Sequence, residues 1–150
     1  MKIVLQEVLN AKVFIDGQEH SSIEKGFLLL VSFKEGDKEE TISKMALKIS
    51  KLRVFLDENG KTNLSLNDVK GDILSVSQFT LYADIKKSNR PSYINCMKGE
   101  IASKYYDKFN EELVKLGFNV KTGVFGADMK LSFTNNGPYT LVIDSDELGY

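Results

Sequence analysis

The chain has 150 residues, with 20 Lys and Arg against 21 Asp and Glu, so its formal net charge is −1. That length predicts one domain spanning residues 1–150, and 42% hydrophobic with 27% charged residues is typical of a globular protein. The near-neutral charge excludes extended wrapping of nucleic acid, so we expect no DNA partner and only local, pocket-like binding of any RNA.

The compartment is predicted from what the sequence lacks. A single cysteine excludes a disulfide framework and fits a reducing compartment. No apolar run approaches the roughly 20 residues that cross a bilayer, and the start MKIVLQEV is not a secretory signal. We therefore expect a cytoplasmic protein that has no membrane partner.

Strands are the first elements predicted in chain order. Residues 3–17 (IVLQEVLNAKVFIDG) predict two short strands around a turn at Asn10, closed by Asp16 and Gly17. Residues 26–33 (GFLLLVSF) are continuously apolar and predict a strand buried on both faces.

Two helices are predicted from apolar spacing. Asp37 has the position of an N-cap, with Glu40 three residues later, and an apolar face follows, formed by Ile42, Met45, Ala46, Ile49 and Leu52. The second helix covers residues 98–117 and ends at Gly117, with a stripe formed by Ile101, Tyr105, Phe109, Leu113 and Leu116.

The remaining segments have strand character. Residues 53–60 predict a strand and a turn, and residues 72–84 (DILSVSQFTLYAD) predict a strand that becomes irregular after Gln78. Three more strands are predicted at 118–123, 128–134 and 139–144, the last two separated by a turn at 135–138. Strands and helices without strict alternation indicate the α+β class.

The scarcity of imidazole and thiol groups restricts the chemistry. His20 is the only histidine and lies in a polar stretch where we expect a solvated loop, so a histidine-based triad is not indicated. One histidine and one cysteine are too few for an ordinary zinc site, and Cys96 is expected to be an inert thiol. Any enzyme built on this chain must use backbone groups, hydroxyls, amides or atoms of its substrate.

Two segments break the local patterns. An apolar strand ends in Ser77-Gln78-Phe79-Thr80, where free backbone N–H groups could meet an anion, although the same residues are compatible with plain strand and core roles. Asn135-Asn136-Gly137-Pro138 is compatible with an ordinary turn, and X–Pro bonds are cis in only about 5–6% of cases.

These segments resemble the D-aminoacyl-tRNA deacylase family. The similarity is carried by SQFTLYAD at 77–84, FGADM at 125–129 and NNGPYT at 135–140, and it extends to VLQEV, KISKLRVF, DENGKTNLS and NRPS. It therefore covers essentially the whole chain. The resemblance implies an α+β fold with a barrel-like, mixed or antiparallel sheet and two main helices, a homodimer, and no metal or other cofactor.

The resemblance also implies an activity, which is hydrolysis of the ester that joins a D-amino acid to the 3′-terminal adenosine of tRNA. The implied catalytic segment forms the pocket floor and consists of Ser77, Gln78, Phe79 and Thr80. Its backbone N–H groups would face the scissile carbonyl, and the amide of Gln78 would position the ribose. The implied substrate-binding residues are Phe125, Met129 and Asn135, the first two packing on the terminal adenine.

The implied chirality filter consists of Gly137 and Pro138, joined by a cis bond and reaching into the pocket of the other subunit. Their carbonyls would leave room for Cα–H but not for the side chain of an L-residue, so glycyl-tRNA should also be cleaved. The ribose 2′-OH is the expected proton relay, and Thr80 as a covalent nucleophile is the competing mechanism.

Two positions depart from the family pattern. Glu7 stands where the family usually has Arg, and Tyr139 follows Pro138 where a small aliphatic residue is usual. A related branch that edits L-alanyl-tRNA has a trans Gly-Pro bond and a similar TNGPYT motif, so that activity is the runner-up. Two further hypotheses are a non-catalytic binder of the tRNA end and a generic α+β interaction module.

A basic loop follows the first motif. Lys86, Lys87 and Arg90 lie within five residues, and Pro91 argues against a helix there. The loop is the candidate contact for acceptor-stem phosphates, although its composition is equally compatible with a merely solvated loop.

Overall fold

A computed structural model describes the chain from Met1 to Tyr150. The elements in chain order are β1 (Lys2–Ile15), β2 (Gln18–Ile23), β3 (Gly26–Ser32), α1 (Glu39–Ser50), β4 (Arg53–Leu56), β5 (Thr62–Ser65), β6 (Asp72–Ser77), a 3-10 turn (Phe79–Tyr82), α2 (Gly99–Lys115), β7 (Val120–Thr122) and β8 (Lys130–Asp144). None of the helices has both the length and the apolar character that a membrane crossing requires.

Strand β1 is the centre of a mixed sheet. One edge of β1 pairs antiparallel with β3 and then β2, and the other edge pairs antiparallel with β8. Strand β6 lies parallel to both β3 and β7. The Ser21 hydroxyl in β2 donates to the Thr122 carbonyl in β7 at 2.8 Å, so the two ends of the sheet approach each other. The predicted α+β fold with a mixed, barrel-like sheet is confirmed.

Strand β3 is buried on both faces, as its continuous apolar run predicts. Phe27, Leu29 and Val31 belong to the larger core cluster, which includes the buried faces of α1 and α2. Leu28 points to the opposite face and packs in a smaller cluster with Leu74 of β6. The end of β3 therefore lies in a rigid layer, and that end forms part of the candidate site.

The N-terminus of α1 is not capped as predicted. Lys38 occupies the N-cap position without a capping side chain, so the prediction that Asp37 caps the helix is wrong. The Asp37 carboxylate instead accepts hydrogen bonds from the Met1 ammonium group at 2.6 Å and the Lys34 backbone N–H at 2.9 Å. Leaving a buried ammonium group without a counter-charge costs more free energy than leaving a helix N-terminus uncapped, so Asp37 pairs with Met1.

Helix α2 confirms the predicted element but not its whole apolar stripe. Phe109 and Leu113 are buried, whereas Ile101 and Leu116 are exposed. The buried face is instead centred on Tyr106, whose side chain packs toward β6. Gly117 follows the helix with a φ of +94°, which is typical of a glycine that ends a helix.

The predicted turn at Asn10 is wrong, because β1 is one continuous strand. Val8 pairs with Asn135 and Asn10 with Thr134, so Leu9 has no partner on β8 and forms a bulge. The prediction that His20 lies in a loop is also wrong, since His20 belongs to β2, although its side chain is exposed as expected.

The predicted turn at 135–138 is likewise wrong, because these residues lie within the single strand β8. Gln6 pairs with Thr140 and Val8 with Asn135, so Glu7 alone lies opposite residues 136–139. We call this outward segment, residues 136–139, the excursion. Pairing resumes on both sides of it because β1 supplies an uninterrupted partner strand.

Candidate active site

A cavity of about 460 Å³ lies at the C-terminal end of β6. Its wall is formed by the ends of β3 and β6, the start of α2 and the segment between β7 and β8. Five of the residues predicted from sequence line it, and these are Ser77, Gln78, Phe79, Phe125 and Met129. The motifs at 77–80 and 125–129, far apart in sequence, thus meet in one concave site.

The segment predicted to be catalytic, residues 77–80, begins where regular pairing ends. The Gln78 backbone N–H still donates to the Val31 carbonyl at 2.8 Å, and a 3-10 turn starts at the next residue. The Phe79 carbonyl accepts hydrogen bonds from the Ser32 hydroxyl at 3.3 Å and the Cys96 thiol at 3.4 Å. These contacts fix the plane of the peptide that joins Phe79 to Thr80.

Two backbone donors in this segment are free. The N–H groups of Phe79 and Thr80 donate to no acceptor within the chain, as is usual for the first residues of a helical turn. Free N–H groups held on a fixed backbone are the groups that stabilise a developing oxyanion. The segment therefore offers the donors that acyl transfer requires.

Unlike the three residues before it in the motif, Thr80 lies outside the cavity. Its side chain is exposed and is not among the cavity-lining residues. The Thr80 hydroxyl accepts a hydrogen bond from the Gln78 amide nitrogen at 2.6 Å, and no carboxylate or imidazole hydrogen-bonds to it. No group is therefore in place to remove its proton.

Phe125 and Met129 form an apolar wall of the cavity. Both are half-buried, and the Phe125 ring packs against the Tyr106 ring with centroids 6.1 Å apart. Gly123 makes room for this wall, since a Cβ atom there would approach the Met129 sulfur to 2.5 Å. An aromatic ring beside a polarizable thioether is a surface suited to a flat heterocycle.

The excursion is held by Glu7 and Asn135. The Asn135 amide nitrogen donates to the carbonyls of Glu7 and Tyr139, each at 3.0 Å, and the Asn136 amide donates to the Glu7 carboxylate at 2.7 Å. Glu7 is only 6% exposed, and the Asn136 amide is the donor that its side chain meets there. The chain thereby accommodates an acidic residue at this position.

Gly137 and Pro138 are exposed, and the peptide bond between them is cis. Neither residue lines the cavity, so one chain does not bring them together with residues 77–80. Asn135 is also absent from the cavity wall, and its amide nitrogen is used to hold the main chain. Its contact with substrate remains a prediction.

The basic loop is closed by a short antiparallel bridge. The backbones of Asp84 and Ser92 exchange two hydrogen bonds, at 2.8 and 2.9 Å. Lys86, Lys87 and Arg90 are exposed between these residues and form no ion pairs. The loop is therefore a positive segment whose three cations have no carboxylate partner.

Residues 4–144 match the sequence profile of the family described as D-Tyr-tRNA(Tyr) deacylase. The chain belongs to this family. A D-aminoacyl-tRNA deacylase of Lactobacillus acidophilus is 55% identical over 144 residues, which are 96% of this chain and 99% of that protein. A protein of the same name from Lactobacillus delbrueckii subsp. bulgaricus is 54% identical with the same coverage. The resemblance found in the motifs is confirmed.

Solved structures show the same fold. A structure titled c-Myc DNA Unwinding Element Binding Protein has a TM-score of 0.91 and 37% identity, covering 96% of this chain and 98% of its own. A probable eukaryotic D-amino acid tRNA deacylase has a TM-score of 0.83 and covers 95% of this chain and 97% of its own. At 15% identity, the second likeness concerns the fold alone.

For this member of the deacylase family, motif reasoning missed Ser32 and Cys96. Both line the cavity and hold the Phe79 carbonyl, although the sequence predicts only an inert thiol at Cys96. Burial raises the pKa of the Cys96 thiol, which keeps its proton available for donation. Neither residue carries a local signal, because each contact depends on the tertiary fold.

Proposed function

We propose that this deacylase-family enzyme hydrolyses the ester of D-aminoacyl-tRNA and releases tRNA and the D-amino acid. The observation that carries the proposal is the pair of free N–H groups, on Phe79 and Thr80, beside a cavity with an apolar wall. Relatives named D-aminoacyl-tRNA deacylase with 55% and 54% identity support it. A tRNA substrate is consistent with the cytoplasmic location that the sequence predicts.

In the proposed reaction, water adds to the ester carbonyl, and the bond between the carbonyl carbon and the ribose 3′ oxygen then breaks. The free N–H groups of Phe79 and Thr80 stabilise the negative oxygen, and the departing 3′ oxygen takes a proton. The neighbouring ribose 2′-OH relays that proton, since no imidazole lines the cavity. The substrate thus supplies the proton transfer that the chain lacks.

The terminal adenine fits the wall formed by Phe125 and Met129. With the base held there, the ribose lies toward Gln78, whose amide can position its hydroxyls. The exposed cations Lys86, Lys87 and Arg90 then face the phosphates of the acceptor stem. These contacts hold tRNA by its end without reading its sequence.

Chirality selection is proposed to need a second copy of the chain. Gly137 and Pro138 are exposed and lie outside their own cavity, so they are available to a partner subunit in a homodimer. Their carbonyls would stand beside the substrate Cα and leave no space for an L side chain. Glycine has no side chain, so glycyl-tRNA should be cleaved as well.

Deacylation assays with four substrates test the proposal. We expect rapid hydrolysis of D-Tyr-tRNA and Gly-tRNA, and none above background for L-Tyr-tRNA. Faster cleavage of L-Ala-tRNA than of D-Tyr-tRNA would favour the related L-alanine editing activity. Binding of tRNA without cleavage of any ester would refute the enzymatic proposal, and a matching duplex DNA tests the expectation of no DNA binding.

A further inference from the structure

Two aromatic rings form an exposed pair at the mouth of the cavity. Phe79 is 56% exposed and Tyr93 is 42% exposed, and their rings meet edge to face with centroids 4.9 Å apart. Phe79 lines the cavity, whereas Tyr93 does not line it but packs against the Phe79 ring. Exposed aromatic pairs in a soluble protein indicate a surface that binds something flat or apolar.

The pair is fixed by the main chain and does not depend on core packing. The Tyr93 carbonyl accepts a hydrogen bond from the Cys96 N–H at 3.0 Å, and the neighbouring Ser92 is paired with Asp84. The Cys96 thiol in turn donates to the Phe79 carbonyl. The backbone that carries the Tyr93 ring is therefore fixed relative to the catalytic segment, and the ring itself packs against Phe79.

The charge beside the pair indicates the class of ligand. Lys86, Lys87 and Arg90 are exposed in the loop that leads to Tyr93, and none has a carboxylate partner. An apolar protein segment would cover the rings and leave three cations unneutralised. Single-stranded RNA matches both features, because its bases stack on aromatic rings while its phosphates meet cations.

We propose that Tyr93 is the stacking platform for the unpaired nucleotide that precedes the terminal adenosine of tRNA. The inference rests on the proposed function, which places that adenosine against Phe125 and Met129 inside the cavity. The strand leaving the cavity then passes the Phe79–Tyr93 pair before it reaches the basic loop. Tyr93 is thus a binding residue for the substrate end and takes no part in the chemistry.

Two substrates of different length test the proposal in the intact protein. One is D-tyrosyl adenosine, and the other is the same ester on the trinucleotide cytidine-cytidine-adenosine. We expect Tyr93→Ala to lower kcat/KM for the trinucleotide ester on the order of ten- to a hundredfold, mainly through KM, because one base–aromatic stack is lost. Hydrolysis of the adenosine ester should be unchanged, and Tyr93→Phe, which keeps the ring, should resemble the wild type.

Equal losses on both esters would overturn the proposal, because Tyr93 would then act only by supporting Phe79. No loss on either ester would overturn it as well. These outcomes differ from failure of the proposed function, in which the wild-type protein cleaves neither ester.

A binding measurement tests, independently of hydrolysis, whether the residue at position 93 stacks on the penultimate base. The chain has no tryptophan, so Tyr93→Trp introduces a single tryptophan at the platform, whose fluorescence can be excited apart from that of the tyrosines. Quenching of this tryptophan reports RNA binding. We expect the Kd of the trinucleotide cytidine-cytidine-adenosine to be at least tenfold lower than that of a version with an abasic penultimate nucleotide, which keeps the phosphates. Equal affinity for the two RNAs would overturn the proposal.

Discussion

At the scale of single residues, the hydroxyl of Thr80 separates two mechanisms. It accepts a hydrogen bond from Gln78 and lies outside the cavity, so we expect it to be dispensable for bond breakage. Thr80→Val should lower the single-turnover rate on D-Tyr-tRNA by less than about tenfold, whereas removal of a covalent nucleophile costs about a millionfold. Rapid-quench deacylation assays measure the difference.

The matched control for Thr80 is Ser77→Ala, which removes another hydroxyl from the same motif but one that lines the cavity. A thousandfold lower single-turnover rate in Thr80→Val, without a similar loss in Ser77→Ala, would contradict the 2′-OH mechanism and support the covalent one.

Glu7 is the residue on which the excursion depends. Its buried carboxylate accepts the Asn136 amide, so Glu7→Ala leaves a polar side chain without its partner. We expect the free energy of unfolding in urea to fall by about 1–3 kcal/mol, and discrimination between D- and L-Tyr-tRNA to weaken. Glu7→Gln keeps an acceptor oxygen and should lose less than half as much stability. Equal losses would show that the side-chain acceptor is irrelevant.

The motif residues could be predicted from sequence because they are contiguous. Ser77 to Phe79 and the pair Phe125 and Met129 all reach the same cavity, as the motifs indicate. Ser32 could not be found in this way, because it lies 47 residues from the Phe79 carbonyl that it holds. The brace between Glu7 and Asn136 was equally hidden, since it joins positions 129 residues apart.

At the scale of elements, apolar runs and spacing were sufficient for β3 and for the existence of α1 and α2. They failed for β1 and β8, where a bulge at Leu9 and the excursion carry the same polar and Gly-Pro signals as turns. Local sequence does not distinguish a chain that reverses from one that bends outward and continues. Only the neighbouring strand decides between them.

Helix α2 is joined to the sheet by one buried hydrogen bond. The Tyr106 hydroxyl donates to the Ser75 carbonyl at 2.7 Å, and burial raises the pKa of Tyr106, so the hydroxyl stays protonated into alkaline solution. We expect Tyr106→Phe to lower the free energy of unfolding by about 0.5–1.5 kcal/mol, because one hydrogen bond is lost while the Ser75 carbonyl keeps a second donor, the Gly123 N–H at 3.0 Å. Tyr105→Phe is the control on the same helix, since its hydroxyl makes no hydrogen bond, and equal urea midpoints would refute the expectation.

At the scale of the whole molecule, Asp37 connects the first strand to the segment before α1. Its side chain is 4% exposed and neutralises the buried Met1 ammonium group, which also donates to Ser145 at 2.7 Å. Asp37→Asn should lower the free energy of unfolding by about 3–5 kcal/mol, because a buried charge loses its partner.

The control for Asp37 is Asp146→Asn, which removes the carboxylate of an ion pair with Lys34 at a position 57% exposed. It should cost no more than about 1 kcal/mol, and less at high salt. Thermal unfolding of both variants measures the contrast, and equal costs would contradict the assigned role of Asp37.

The proposed dimer predicts complementation between two inactive variants. Phe125→Ala damages the cavity wall, and Gly137→Val places a side chain where φ is +121° and a Cβ atom meets the Tyr139 nitrogen at 2.9 Å. If the excursion serves the partner's site, hybrids formed by refolding an equal mixture contain one intact site, and activity should return to about a quarter of the wild type. An inactive mixture would place the excursion in its own subunit's site.

The pairing of β8 constrains how the excursion can change in length. From Thr134 to Thr140 the strand advances six positions (140 − 134 = 6), while its partner advances four from Gln6 to Asn10 (10 − 6 = 4). This net surplus of two, three from the excursion less one from the Leu9 bulge on β1, is even, so inward and outward side chains stay in phase on both flanks. Removing Gly137 and Pro138 together should therefore preserve the fold. Removing one residue would move the side chains of one whole flank of the strand to the opposite face of the sheet. Viable insertions and deletions at this motif should come in pairs.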